Sequence, residues 1–162
     1  MADAAGIESR RTAIEVLERV ERDGAYANLL LRETLDKGSL SDRDRGFVTE
    51  LVYGVTRRQR SLDFLIDQHL HDPALEPRVR AALRVGAYQL VILNTAAHAA
   101  VDSTVSASPK RVRGLVNAVL RKVAKAGTPT SWPTIGIELS YPEWITKQLL
   151  SLIHISEPTR PY

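Results

Sequence analysis

Cysteine is absent from this 162-residue chain. That excludes disulfides, thiolate metal sites and any mechanism built on a cysteine nucleophile, and it is compatible with a reducing cytoplasm. Aromatic residues make up only 6% of the sequence, which leaves few candidates for base-stacking platforms. Tyr26, Tyr53 and Tyr88 all sit within apolar helical stripes, so core packing is expected of them. No apolar run approaches the roughly 18 residues that a membrane span needs. The opening MADAAGIESRR lacks the long apolar core of a signal peptide. A soluble, cytoplasmic protein is the expectation. Strand-like alternation is nearly missing, and there is no GxGxxG, no P-loop and no paired-carboxylate signature.

What is present is an uneven distribution of charge. Net charge is only +3, but residues 1–77 carry 11 basic and 15 acidic side chains, while residues 78–125 carry nine basic ones and the single acid Asp102. A block of net +8 on segments that also carry a full apolar face reads as a folded module with one cationic side. The natural partner of such a side is a polyanion, most often a nucleic acid.

Period-3.6 patterns run through most of the chain. Ser9 is placed to cap a first helix ending at Asp23–Gly24, with Ala13, Val16, Leu17 and Val20 as its stripe. A second helix is expected from Ala27 or Asn28 to Lys37, stopped by Gly38. Ser41 then caps a third, with Asp44 three residues on and Phe47, Val48, Leu51, Val52 and Val55 on its buried face. Gly54 and the polar run 56–61 suggest a break, after which 62–70 continues helically. Glu76-Pro77 opens a helix to about Leu93, with proline where its missing N–H costs nothing. Gly86 in mid-helix sacrifices about 1 kcal/mol relative to alanine, so close helix–helix approach is expected there. A short helix over 99–106 and a long one over 112–126, ended by Gly127, complete a bundle of about seven helices. Residues 128–137 read as a linker, and a further helix is expected over 142–150.

The candidate binding residues are cationic. Arg10 and Arg11, in what reads as a first helical turn, oppose the helix dipole, so a use on phosphate is expected of them. Arg57, Arg58 and Arg60 cluster at the suspected break. Lys110, Arg111 and Arg113 precede the last bundle helix, and Arg121 and Lys122 lie beyond its middle, with Lys125 further on; together they could line a backbone-binding groove. Asn117 is expected to tether a loop or a neighbouring helix. Catalytic arrangements do not hold up: His98, Asp102 and Ser103 lack a base and oxyanion geometry, and His69, His71 and Asp72 lack companions at zinc-site spacing.

Five segments occur in order: RRTAIEVLERVERDGAYANLLL, DRDRGFVTELVYGVTRRQRSLDFLI, RVRAALRVGAYQLVIL, AHAAVDSTV and GLVNAVLRKV. This series, over about residues 9–126, resembles the NusB-like N-terminal domain of the bacterial 16S rRNA cytosine-C5 methyltransferases, and YPEW at 141–144 is similar to the segment leading toward their catalytic core. The resemblance implies an all-α NusB-like fold over residues 8–127 that binds RNA, specifically 16S rRNA. It also implies a separate domain that binds S-adenosylmethionine and supplies a cysteine nucleophile; this chain has no cysteine and no such domain, so it is not expected to be an enzyme on its own. No catalytic, cofactor-binding or metal-binding residue is assigned. The other member of the same fold family that fits is a stand-alone NusB-type antitermination factor, which would bind leader RNA with a ribosomal protein. Residues 128–150 are then a linker and first helix toward the absent methyltransferase domain. The closing SLIHISEPTRPY resembles translated sequencing-adapter DNA, so 151–162 reads as a non-native tail after which the natural sequence would differ.

Overall fold

The computed structural model describes the backbone of residues 4–156 and the side chains of residues 4–153. Among the described residues there are nine α-helices: α1 (Ala4–Asp23), α2 (Ala27–Lys37), α3 (Asp42–Arg57), α4 (Gln59–Asp67), α5 (Pro77–Val91), α6 (Ala97–Ala107), α7 (Arg113–Ala126), α8 (Ile135–Glu138) and α9 (Glu143–Ser156). No strand occurs among the described residues. The expected all-α bundle is what forms, with α1–α7 as its body.

Helix α5 is the axis of the bundle. Every residue from Val79 to Gln89 is buried, as expected of a helix surrounded by others rather than lying on a surface. Pro77 occupies its first turn. Around it, α1 contributes Ile14, Val16 and Leu17, α3 contributes Val48, Leu51, Val52 and Val55, and α7 contributes Val116, Val119, Leu120 and Val123. Gly86 fulfils its expected role: a Cβ there would lie 2.4 Å from Leu120 Cδ1, so the glycine lets α7 close on α5.

Gly54 has a different purpose from the one its sequence neighbourhood suggested. The chain breaks at Arg58, within the polar run, whereas Gly54 lies inside α3, where a Cβ would come 2.2 Å from the Tyr88 ring and hydroxyl. The gap lets Tyr88 cross α3, where its hydroxyl donates to Glu50 Oε1 at 2.6 Å.

Local expectations at the other helix ends divide. Ser41 caps α3 by accepting from Asp44 N at 3.2 Å, and Gly127 ends α7 at φ 67°. Ser9 is not a cap. The apolar residues before it extend α1 back to Ala4, so Ser9 is fully buried and its hydroxyl donates to the Ala5 carbonyl at 2.9 Å. Arg10 and Arg11 therefore lie well inside the helix, and the argument from an opposed first-turn dipole does not apply to them. Of the three tyrosines expected in the core, only Tyr88 is there. Tyr26 precedes α2 in extended backbone and is 76% exposed, and Tyr53 lies on the solvent flank of α3.

The segment after Gly127 is not a free tether. Its Trp132 ring lies 5.6 Å from Phe64 of α4, α8 packs on α4, and α9 continues past the expected Leu150 to Ser156. Helical backbone thus covers the first part of the stretch read as a tail; residues 157–162 lie outside the described residues.

Candidate nucleic-acid interface

The junction between α6 and α7 builds a basic groove. Helix α6 ends at Ala107, leaving carbonyls without intrahelical partners. Arg113 turns back onto them: Nη2 donates to Ser106 O at 2.9 Å and Nε to Ser108 O at 3.1 Å. This fixes the one-turn 3₁₀ segment Lys110–Val112 beside the start of α5 and the outer face of α1. The resulting groove, of about 460 Å³, is lined by Arg11, Arg78, Ser106 to Pro109, Lys110, Arg111 and Arg113. Four of the expected cations are thereby brought together, joined by Arg78.

Carboxylates flank these cations without burying them. Arg111 reaches both oxygens of Glu76, Arg11 pairs with Glu8, and Arg78 donates to Glu18 at 3.3 Å. The Arg111 and Glu76 side chains are 67% and 56% exposed, and a pair so open to solvent contributes about 0–1 kcal/mol. A phosphate can replace such a carboxylate at little cost. Lys110 and Arg113 form no ion pair with any described residue, and Arg78 Nε is buried without a hydrogen-bond partner.

The +8 block is not, however, a single cationic side. Arg80 and Arg84 turn inward, their side chains only 10% and 9% exposed. Arg84 donates to both oxygens of Asp63 at 2.7 and 2.9 Å and to Glu21 at 2.7 Å. Burial disfavours the Arg84 charge, but the hydrogen bonds and charges of Asp63 and Glu21 outweigh it and hold its pKa above the ordinary value. Arg80 pairs with Asp67 and Asp63. These acids come from the net-acidic first half of the sequence, which is why a count along the chain overstates the charge of the face.

The remaining expected cations lie elsewhere. Arg10 is half-buried: Nε donates to Gln89 Oε1 and Nη1 to Gly6 O, both at 2.7 Å, and its guanidinium lies 4.9 Å from the Phe47 ring centre. Burial lowers its pKa. Arg10 thus fastens α1 to α5 and α3, beside a second cleft formed with Ser41 and Arg43. Arg57 is exposed, but Arg58 donates to Glu138 O at 3.2 Å, and Arg60 reaches Tyr141 O and the Glu143 carboxylate. Both of the latter face the C-terminal segment. Arg121 and Lys122 are exposed on α7, as is Lys125. Asn117 tethers neither a loop nor another helix; it accepts from Arg121 Nε at 2.9 Å, one turn along its own helix.

Arg78 is the groove residue that sequence reasoning missed. The apolar pattern assigns it to a core helix, and the signal that separates it is its place in the first turn, just ahead of the buried stretch. The structure engages two members of the histidine-containing clusters in local hydrogen bonds. Ser103 is buried and donates to Ala99 O at 2.5 Å, which occupies its hydroxyl away from His98. Asp72 accepts from Ala74 N at 2.8 Å in a turn. Among the described residues, no group of three His, Cys, Asp or Glu side chains could hold a metal, and no helix is long and apolar enough to cross a membrane.

An all-helical bundle around one buried helix, with a cationic groove on its flank, defines a class of helical domain, and comparison gives the family. The sequence profile of the NusB family matches residues 7–125, and the chain belongs to that family. It is 39% identical over 140 residues to the ribosomal RNA small subunit methyltransferase B of Thermus thermophilus, covering 84% of this chain and 33% of that protein. It is 35% identical over 153 residues to the protein of the same name from Xanthomonas campestris, covering 90% and 34%. The chain thus spans about a third of the length of these relatives. Among solved structures, it matches NusB of T. maritima with a TM-score of 0.68 at 20% identity, over 80% of this chain and 96% of that one. It matches a chain of the antitermination factors NusB and NusE in complex with double-stranded RNA with a TM-score of 0.65 at 26% identity, over 75% and 97%.

Proposed function

We propose that this chain is the RNA-binding part of a 16S rRNA cytosine-C5 methyltransferase, and that the groove between α1, α5 and the α6–α7 junction holds the RNA backbone. The observation that carries this reading is the convergence of Arg11, Arg78, Lys110, Arg111 and Arg113 from four separate elements onto one groove. Among the described residues no aromatic ring lines it, so its chemistry is suited to phosphate oxygens rather than to stacked bases. Similarity to the small-subunit methyltransferases supports ribosomal RNA as the polyanion, in the cytoplasm, and the NusB–NusE–RNA structure supports RNA binding by this fold.

The methyl transfer itself would belong to the part of the relatives that this chain does not span. No glycine-rich turn from a strand into a helix occurs among the described residues, and we assign no S-adenosylmethionine contact to this segment. The contribution of this segment is to bind and orient RNA.

Fluorescence anisotropy with a labelled 16S rRNA fragment tests the reading. Lys110→Glu combined with Arg111→Glu should weaken binding at least tenfold, about 1.4 kcal/mol, while the helical melting transition stays in place. Unchanged affinity would move the site away from the groove.

A further inference from the structure

Residues 132–143 hold a density of long-range hydrogen bonds that a linker has no need of. Ser61, buried at the start of α4, is their centre. Its hydroxyl lies 2.7 Å from Ile137 O, 3.0 Å from Glu138 O and 2.8 Å from Ser140 Oγ, and its backbone N–H donates to Ser140 Oγ at 2.9 Å. Ser140 holds a left-handed backbone, φ 58°, to make this contact. Such a conformation is costly for serine, and surrounding contacts must over-determine it. On one side, Arg58 and Arg60 donate to the Glu138 and Tyr141 carbonyls. On the other, the Glu143 carboxylate accepts from Thr134 Oγ1 at 2.9 Å and from Arg60 Nη2 at 3.3 Å, tying the first residue of α9 to both α8 and α4.

We infer that residues 132–143 are a rigid bracket, latched to α4 by Arg60 and Ser61, that fixes the direction in which α9 leaves the bundle. Arg60 and Ser61 are positioning residues; neither lines the groove. Where the chain continues as it does in its longer relatives, the bracket holds the RNA groove in constant orientation to whatever follows α9. That consequence rests on the proposed function; the latch itself does not.

The lack of cysteine makes a direct test available. Spin labels at Arg32→Cys on α2 and Lys147→Cys on α9, both exposed positions, report the distance between bundle and exit helix by pulsed electron resonance. One narrow distance distribution is expected in the otherwise unaltered chain, and a broad one after Arg60→Ala, Ser61→Ala or Ser140→Gly. Proteolysis within 128–142 should also become at least about tenfold faster in these variants. A broad distribution in the unaltered chain, or a narrow one that all three variants retain, overturns the inference. Should Ser61→Ala unfold the bundle, Arg60→Ala, which is half exposed, decides alone. None of these residues lines the groove, so RNA affinity should survive in every variant, and failure of the groove reading is seen separately by titration.

Discussion

Arg84 and Arg111 are both ion-paired and both belong to the basic stretch 78–125, yet their environments give them opposite uses. Arg84 spans α1 and α4 through Glu21 and Asp63 with its own side chain almost wholly enclosed. Replacing it with alanine leaves the partly exposed Glu21 without this partner and Asp63 with Arg80 alone, and a loss of about 2–3 kcal/mol is expected in chemical denaturation. Lys122→Ala, on the open face of α7, should change stability by less than about 0.5 kcal/mol. Equal effects of the two variants would contradict the geometry. Tyr88 supplies a second measurement at this scale. Burial first, then its hydrogen bond to Glu50 and the charge of that residue, push the phenol pKa up from 10.0 to about 12. The folded state therefore keeps a proton that the unfolded chain gives up near pH 10. The Tyr88 contribution to stability is level below that pH, then declines as pH rises from 10 toward about 12. Tyr88→Phe should flatten this alkaline decline, and an unchanged slope would show that Tyr88 does not carry it.

At the scale of elements, sequence periodicity identifies the helices because each of α1, α3 and α7 buries a face that recurs every three to four residues, whereas α5 is buried all round. Ser41, Pro77 and Gly127 could be placed because capping and stopping are local chemistry, acting within a turn of the residue itself. Ser9 misled for a complementary reason: serine serves equally well inside a helix when its hydroxyl returns to a carbonyl four residues back. The docking of 132–143 is not legible, since it depends on Ser61, some 80 positions away along the chain, and the local Thr134 cap of α8 supports only a single turn. Glycine separates the two kinds of information cleanly. Gly86→Ala should cost about 1–3 kcal/mol despite the better helix propensity of alanine, because the new methyl would drive into Leu120. At Gly114, in the first turn of α7, an added methyl would meet nothing within 4 Å, so Gly114→Ala should stabilise by about 0.5–1 kcal/mol. Thermal melts of the pair check both signs; a stabilising Gly86→Ala would mean that α5 and α7 are less closely packed than the structure shows.

At the scale of the whole molecule, folding redistributes charge between distant parts of the chain. Acids of the N-terminal half neutralise Arg80 and Arg84 across the α1, α4 and α5 interfaces, while Arg11 moves from that same half into the groove. Four of the ten expected RNA contacts converge for this reason, and the rest are spread over three other places. Salt dependence distinguishes the two descriptions of the molecule. Each phosphate neutralised contributes about −0.7 to −0.9 to the slope of log affinity against log salt. If all nine cations of the 78–125 block met phosphate, the slope would be about −7. The five groove cations allow at most about −4, and if only Lys110 and Arg113, which form no ion pair among the described residues, released counterions it would fall to about −1.5. A slope between these last two values is expected for RNA binding to this chain. Lys110→Ala should make it shallower by about 0.7, whereas Arg84→Ala, if folded, should leave it unchanged because Arg84 faces Asp63 and Glu21 rather than solvent. A slope near −7 would mean that cations outside the groove, such as the exposed Arg57, Arg121, Lys122 and Lys125, also meet phosphate, and would overturn the groove as the sole RNA contact.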